Sequence, residues 1–276
     1  VSYDFLPGRL YRMPTHFGPA LGPRQGEHDR RFACLDTPKT LALSVGFLTR
    51  REQLERLLPP GFAVGGEPVV TVTASFMKEI EWLAGRGYNM VGVSFPAVFQ
   101  GNRDRASGDF LAVLWENLCE PIITGREELG YAKIWAEIPE PRQVDGRVEC
   151  SASWDGFRFF TMDVESLTAA PPPAAPAGDG GLHGVLHYKY VPRTEDWSRA
   201  DAAYATLTRA AGGNRVVQEH ATGTGTVKFH RARWEDMPTQ CTIVNALADL
   251  EMLEFRGATQ TRSIGGRDLR DQRVLE

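Results

Sequence analysis

The sequence has no long basic run, no close pair of cysteines and no extended apolar stretch, and each absence removes a class of function. Its longest basic runs are Arg30-Arg31 and Arg50-Arg51, against a formal net charge of −4. The basic stripe that follows a nucleic-acid backbone is therefore missing, and no nucleic-acid partner is expected. Cys34, Cys119, Cys150 and Cys241 lie far apart, a spacing that fits neither a zinc site nor a dense disulfide framework, so reduced and mostly buried thiols are expected. Nothing approaches the ~18 uninterrupted apolar residues of a membrane span. The opening Val1-Ser-Tyr-Asp-Phe5 has no basic stretch leading into an apolar run, so neither a signal peptide nor a membrane partner is expected and cytoplasmic location is the default. Nucleophile elbows and phosphate loops are also missing. Gly223-Thr-Gly-Thr-Val-Lys-Phe229 reads as a strand with close backbone approach rather than a dinucleotide loop. His183 and His187 stand four apart, but in a Gly-rich, strand-like setting where their rings need not converge, so no metal site is expected.

The chain's 276 residues, 42% of them hydrophobic, can bury a sizeable core, and 28 Gly with 18 Pro imply many turns. Residues 1–38 lack periodicity and read as an N-terminal arm, with a single domain from 39 to 276. Strands are expected over 40–47, 69–76, 88–99 (broken near Pro96), 109–117, 131–138, 147–153, 156–164, 184–191, 216–231 and 249–256. The strands at 88–99 and 109–117 suggest a hairpin around a polar loop at 102–108. A short helix over 49–58 has Thr49 and Glu52 in a capping-box spacing. A second helix spans 121–130 with Thr124 as its cap, and a helical patch lies near 198–211. The Pro/Ala/Gly-rich stretch 168–181 reads as an excursion within the domain. The pattern is an α+β arrangement, mostly antiparallel β.

Lysine is scarce: Lys39, Lys78, Lys133, Lys189 and Lys228 are the whole set. Of these, Lys133 follows Tyr131-Ala132 and precedes Ile134-Trp135-Ala136. Among such neighbours an ammonium loses hydration, its pKa falls, and a neutral amine becomes available as a Schiff-base nucleophile. A strand lysine that reaches back to solvent is the structural alternative.

Gly125-Arg-Glu-Glu-Leu-Gly-Tyr-Ala-Lys133 resembles the nucleophile segment of the acetoacetate decarboxylase-like superfamily. Leu57-Leu-Pro-Pro-Gly61, Glu67-Pro-Val-Val70, Gly85-Arg-Gly-Tyr-Asn89, Trp115-Glu-Asn117, Glu120-Pro121 and Ile243-Val-Asn-Ala-Leu-Ala-Asp-Leu250 support the match, which covers roughly residues 40–257. The resemblance implies a cone- or barrel-like sheet around an active-site cavity, with Lys133 as the Schiff-base lysine. The departures bear on the reaction. Decarboxylating members place a second lysine directly after the nucleophile and use its charge; this chain has Ile134. Met90 stands where an acid follows the Tyr-Asn pair, Thr73 replaces a further acid, and Thr40 falls near the position of a carboxylate-binding arginine. Arg30 or Arg31, from the arm, is the candidate replacement.

These differences favour a carbon–carbon lyase of the aldolase-dehydratase type acting on a keto acid or related carbonyl over an acetoacetate-type decarboxylase. A non-catalytic small-molecule-binding protein on the same scaffold is a third reading. Glu116, Tyr131 and Tyr88 are the candidate proton carriers, and Met90 and Trp115 the candidate substrate-contacting walls; each also has an ordinary packing role open to it. An imine supplies its own electron sink, so no metal, nucleotide or flavin cofactor is expected. A small carbonyl compound is the expected partner, and a homo-oligomer the expected assembly.

Overall fold

Strict alternation of apolar and polar residues builds most of this molecule. The computed structural model describes residues 4–172 and 181–276. In chain order its regular elements are β1 (Lys39–Leu48), α1 (Arg51–Glu55), β2 (Phe62–Val64), β3 (Val69–Ile80), β4 (Arg86–Gln100), β5 (Arg105–Glu116), α2 (Cys119–Thr124), β6 (Lys133–Trp135), β7 (Arg142–Val144), β8 (Arg147–Trp154), β9 (Phe157–Ala169), β10 (Leu182–Arg193), β11 (Asp196–Arg209), β12 (Val216–Phe229), α3 (Cys241–Ala248), β13 (Glu254–Ile264) and β14 (Arg273–Leu275). All strands belong to one 14-stranded sheet, ordered β14-β11-β10-β5-β4-β3-β1-β13-β12-β9-β8-β7, with β2 attached to β4 and β6 to β5. Pairing is antiparallel except where β5 meets β10 and β6. The α+β, mainly antiparallel class is as expected, although the hydrogen-bonded path has two ends instead of closing into a ring.

The core lies on one face of the strands. In β3, Val70, Val72, Ala74 and Phe76 are buried while Thr71, Thr73, Ser75 and Met77 alternate onto the other face. Leu43, Val45 and Phe47 of β1 and Val91, Val93 and Phe95 of β4 join the buried set. Each such side chain, removed from water, contributes about 1.5–3 kcal/mol before conformational entropy is set against it. Trp115 of β5 is wholly buried against Phe159 and Phe229, with ring centroids 5.0 and 6.2 Å away. Its indole N–H donates to Gln240 Oε1 at 2.7 Å, and the Gln240 amide donates to the Trp135 carbonyl.

Several local expectations are corrected. The patch expected at 198–211 is strand β11 to Arg209, paired along its length with β10; its alanines favour a helix locally, and pairing with the neighbouring strand overrides that preference. The expected strand 249–256 begins at Glu254 and runs to Ile264, while α3, which precedes it, was not anticipated. Thr49 does not cap α1: Arg50 holds that position, and the Thr49 hydroxyl donates to Gln53 Oε1. Thr124 lies inside a helical turn and accepts a hydrogen bond from Arg12. β4 continues through Pro96, and only residues 101–104 separate it from β5. The excursion at 168–181 falls largely outside the described residues, with Thr168 and Ala169 still in β9. No helix among the described residues is long and apolar enough to cross a membrane.

Candidate active site

The inner, non-core face of the sheet and the N-terminal arm enclose a cavity of 590 Å³ with Lys133 on its wall. The segment from Cys119 to Lys133 explains how a lysine comes to sit there. After α2, residues Gly125–Leu129 form a wider helical turn, closed where Gly130 N–H donates to the Gly125 carbonyl. Gly130 has φ +86, and a β-carbon there would lie 2.8 Å from Lys189 Cβ, so only glycine fits. The chain then enters β6, which lies parallel to β5 with Lys133 opposite Leu114. Gly125 has a different purpose: a β-carbon on it would lie 2.4 to 2.9 Å from Cδ, Cε and Nζ of Lys133. Its missing side chain is the slot through which the lysine passes.

Lys133 Nζ donates to the Pro121 carbonyl at 3.1 Å, stands 5.3 Å from the centroid of the Tyr131 ring, and lies 2.8 Å from Glu116 Oε1. The Glu116 side chain is completely buried. The contact has ion-pair distance without hydrogen-bond alignment, and neither Glu116 oxygen has a hydrogen-bond partner among the described residues. Burial pushes the Lys133 amine down from the usual lysine range; the Glu116 carboxylate opposes this, and the Arg24 guanidinium adds to it. Burial pushes Glu116 up, against the attraction of Lys133. Burial thus works against the charged form of each group while their mutual attraction opposes both shifts.

Arg24 comes from the arm. Its Nε donates to Glu128 Oε2 at 2.6 Å, and Arg12 Nε lies 3.1 Å from the other oxygen of the same carboxylate. Two guanidinium groups share one acid, so net positive charge remains beside the amine. The arm cation is therefore Arg24 and not Arg30 or Arg31, which are exposed and face a separate surface pocket. Ile134 packs against the hydrophobic core, because strand alternation turns it to the face opposite Lys133.

Tyr88 and Met90 of β4 line the cavity with Glu116 and Lys133. Burial pushes the Tyr88 phenol well above its ordinary value, with the Glu116 charge adding to the effect, although its side chain keeps contact with the cavity space. Tyr131 also lines the cavity, but its hydroxyl is held by Thr208 Oγ1 at 2.6 Å, and burial pushes its pKa up to about 12. It offers Lys133 a ring face rather than a proton. Trp115, expected as a wall, lies in the core: Leu114 and Glu116 occupy the cavity face on either side of it.

Behind Tyr131 the hydrogen bonds fix one another. Gln272 Nε2 donates to the Leu129 carbonyl, so Gln272 Oε1 faces Thr208 and receives its hydroxyl proton at 2.8 Å. Thr208 Oγ1 is then an acceptor for both Tyr131 O–H and His187 Nε2–H, the latter at 3.0 Å. His187 is neutral: burial pushes it down to about 3, and Lys133 adds to the shift. Its ring lies 4.0 Å, centroid to centroid, from that of Tyr131. His183 bonds Ser107 instead, so the two histidines serve different places. Asn117 Oδ1 accepts from Asn89 N–H at 2.8 Å, and both Asn side chains donate to the Ile138 carbonyl. These contacts pin the end of β5 that carries Glu116 beside the chain leaving β6.

Arg24, Gly125 and the Thr208 network were missed from sequence. The arm has no periodicity to mark Arg24, whereas Gly125 stood in the matched segment with its role unread.

The model of the family described as Acetoacetate decarboxylase (ADC) matches residues 12–256. The chain belongs to the acetoacetate decarboxylase family. No curated protein sequence matches it, so family membership here rests on the family model. The enduracididine biosynthesis enzyme MppR, solved with the condensation product of pyruvate and imidazole 4-carboxaldehyde, is similar with a TM-score of 0.64 at 17% identity, covering 93% of this chain and 98% of that one. A structure of acetoacetate decarboxylase gives 0.66 at 17% identity over 88% and 91% of the two chains. The acetoacetate decarboxylase from Legionella pneumophila subsp. pneumophila str. Philadelphia 1 gives 0.62 at 15%, over 91% and 92%. At these identities the likenesses establish the fold alone.

Proposed function

We propose that this family member is a Schiff-base lyase in which Lys133 captures a small keto acid and Glu116 moves the protons. The observation that carries the reading is the desolvated amine 2.8 Å from a fully buried acid on the wall of a cavity. The neutral amine attacks the ketone carbon, and the amine proton passes to the oxygen. Glu116, as the acid, then protonates that hydroxyl; water leaves, and an iminium stands beside the new carboxylate. The iminium draws electrons from the adjacent carbon, Glu116 takes up the proton released there, and an enamine results. The enamine adds to an aldehyde whose oxygen recovers the proton from Glu116. Loss of water and hydrolysis of the imine complete an aldolase-dehydratase cycle.

Thr40, Thr73 and Met90 all line the cavity in place of the arginine and acids of the decarboxylating pattern, which supports condensation over release of carbon dioxide. The enduracididine biosynthesis enzyme holds a pyruvate–aldehyde condensation product in the same fold, which supports the same choice. The test is borohydride reduction with pyruvate followed by peptide mapping. A mass increase on the peptide containing Lys133 is the expected result. An adduct on another lysine, or none across a panel of keto acids with the protein folded, overturns the reading.

A further inference from the structure

The cavity wall facing away from Lys133 has a composition of its own. On β1, β3 and β13 the cavity-lining residues that alternate away from the core include Thr40 and Ser44, Thr73 and Ser75, and Thr261 and Ser263, with Ala42 and Met77 as the apolar members of that face. The strand registers make them one surface: Thr40 is opposite Ser263, Ala42 lies between Thr261 and Ser75, and Ser44 is opposite Thr73. Around the amine the lining mixes apolar Leu114, Pro121, Leu129 and Met90 with Glu116 and the Tyr131 ring. The hydroxyl-bearing surface is a separate part of the same cavity, on β1, β3 and β13.

The hydroxyls are incompletely engaged. Ser44 and Thr73 share one hydrogen bond at 2.8 Å, which leaves one of their two protons free. Thr261 pairs with His220 Nδ1, and Ser263 accepts from Arg215 Nε. Thr40 and Ser75 make no side-chain hydrogen bond among the described residues, although each faces the cavity. The same cavity holds the fully buried carboxyl of Glu116, whose Oε1 faces Lys133 and whose Oε2 has no hydrogen-bond partner among the described residues. The six wall residues are uncharged, although Arg215, which donates to Ser263, and Arg267 line the same cavity; an alkyl tail would strip the hydroxyls of water without replacing its hydrogen bonds.

We infer that the portion of the substrate remote from Lys133, in the proposed cycle the aldehyde reactant, is a chain bearing several hydroxyl groups. This deepens the proposed function and rests on it for the identity of the reactant, but the wall itself is tested without the imine. Gluconate and hexanoate are carboxylates of equal chain length that lack a ketone or aldehyde and differ in their hydroxyls. Calorimetric titration of the full chain is expected to give gluconate about ten-fold tighter binding than hexanoate, the scale of two or three neutral hydrogen bonds. Thr40→Val/Ser75→Ala removes two hydroxyls that hold nothing in the folded chain, so it should unfold at an unchanged temperature and bring the two affinities together. If that pair proves unstable, Thr40→Val alone is expected to narrow the ratio.

Hexanoate binding as tightly as gluconate, failure of gluconate to bind, or a ratio unmoved in the folded variant would overturn the inference. Pyruvate trapping on the unaltered chain separates this outcome from the other. A gluconate preference without an adduct at Lys133 removes the Schiff base and keeps the wall; an adduct without the preference does the reverse.

Discussion

Lys133 and Lys189 make nearly the same contacts. Each donates to a backbone carbonyl of the segment between Cys119 and Leu129, Lys133 to Pro121 at 3.1 Å and Lys189 to Glu127 at 2.5 Å. Each also lies over a tyrosine ring, 5.3 Å from Tyr131 and 5.7 Å from Tyr204. Yet Lys133 is buried beside an acid and Lys189 keeps access to water. A carbonyl and a ring are therefore common to both lysines and do not by themselves single out the proposed nucleophile. Lost hydration, with a proton-carrying group close by, is what separates the two.

The largest break in the comparison comes from removing each amine. Lys133→Ala is expected to bring borohydride trapping of pyruvate to background, whereas Lys189→Ala should leave the adduct on the Lys133 peptide. Glu116→Gln preserves shape but removes the acid, and trapping should slow by about 10²-fold. The sign of its pH effect is opposite to that of lost reactivity: the Glu116 carboxylate raises the Lys133 pKa, so without it the acid limb of the rate profile should move to lower pH. A profile that stays in place would mean the pair is not coupled.

Gly125→Ala fills the lysine's slot. Displacement of the amine should cost about ten- to a hundred-fold in trapping rate, as an ångström of misplacement does elsewhere, with near-native circular dichroism. His187 supports the Tyr131 ring and should show itself in stability rather than rate. The buried imidazole is neutral with a folded pKa of about 3 against 6.5 for the free side chain. The unfolded chain therefore binds the extra proton first, and stability present above pH 6.5 is lost as the pH falls toward 3, by at most about 1.4 kcal/mol per pH unit. In urea titrations across that range, His187→Gln should have the shallower acid limb. The smallest effect is that of salt: since burial dominates the Lys133 shift, trapping should change less than about two-fold between 0.05 and 0.5 M salt, where exposed charges are screened.

The alternating strands were largely legible because period-two patterning survives in β1, β3, β4 and β5 whatever their partners. β11 was not, since its Ala-rich run favours a helix locally and nothing in it shows that β10 pairs with it. Within the site, Lys133, Glu116, Tyr88 and Met90 could be placed near one another because they belong to the matched segments and the cavity face of neighbouring strands. Trp115 went astray because adjacency in sequence along a strand means opposite faces, so the residue between Leu114 and Glu116 points into the core. Arg24 needed the tertiary structure, as the arm reaches the amine only through Glu128 and Arg12.

Residues 116 to 133 carry the acid, the slot, the ring and the amine, and the backbone bond from Tyr131 N–H to the Gly125 carbonyl ties that stretch to itself. The hydroxyl wall comes from strands elsewhere in the chain. In the proposed function, reactivity and selectivity would be inherited on different stretches of sequence, and a drift in β1, β3 or β13 would redirect the chain toward new reactants while leaving Lys133 untouched.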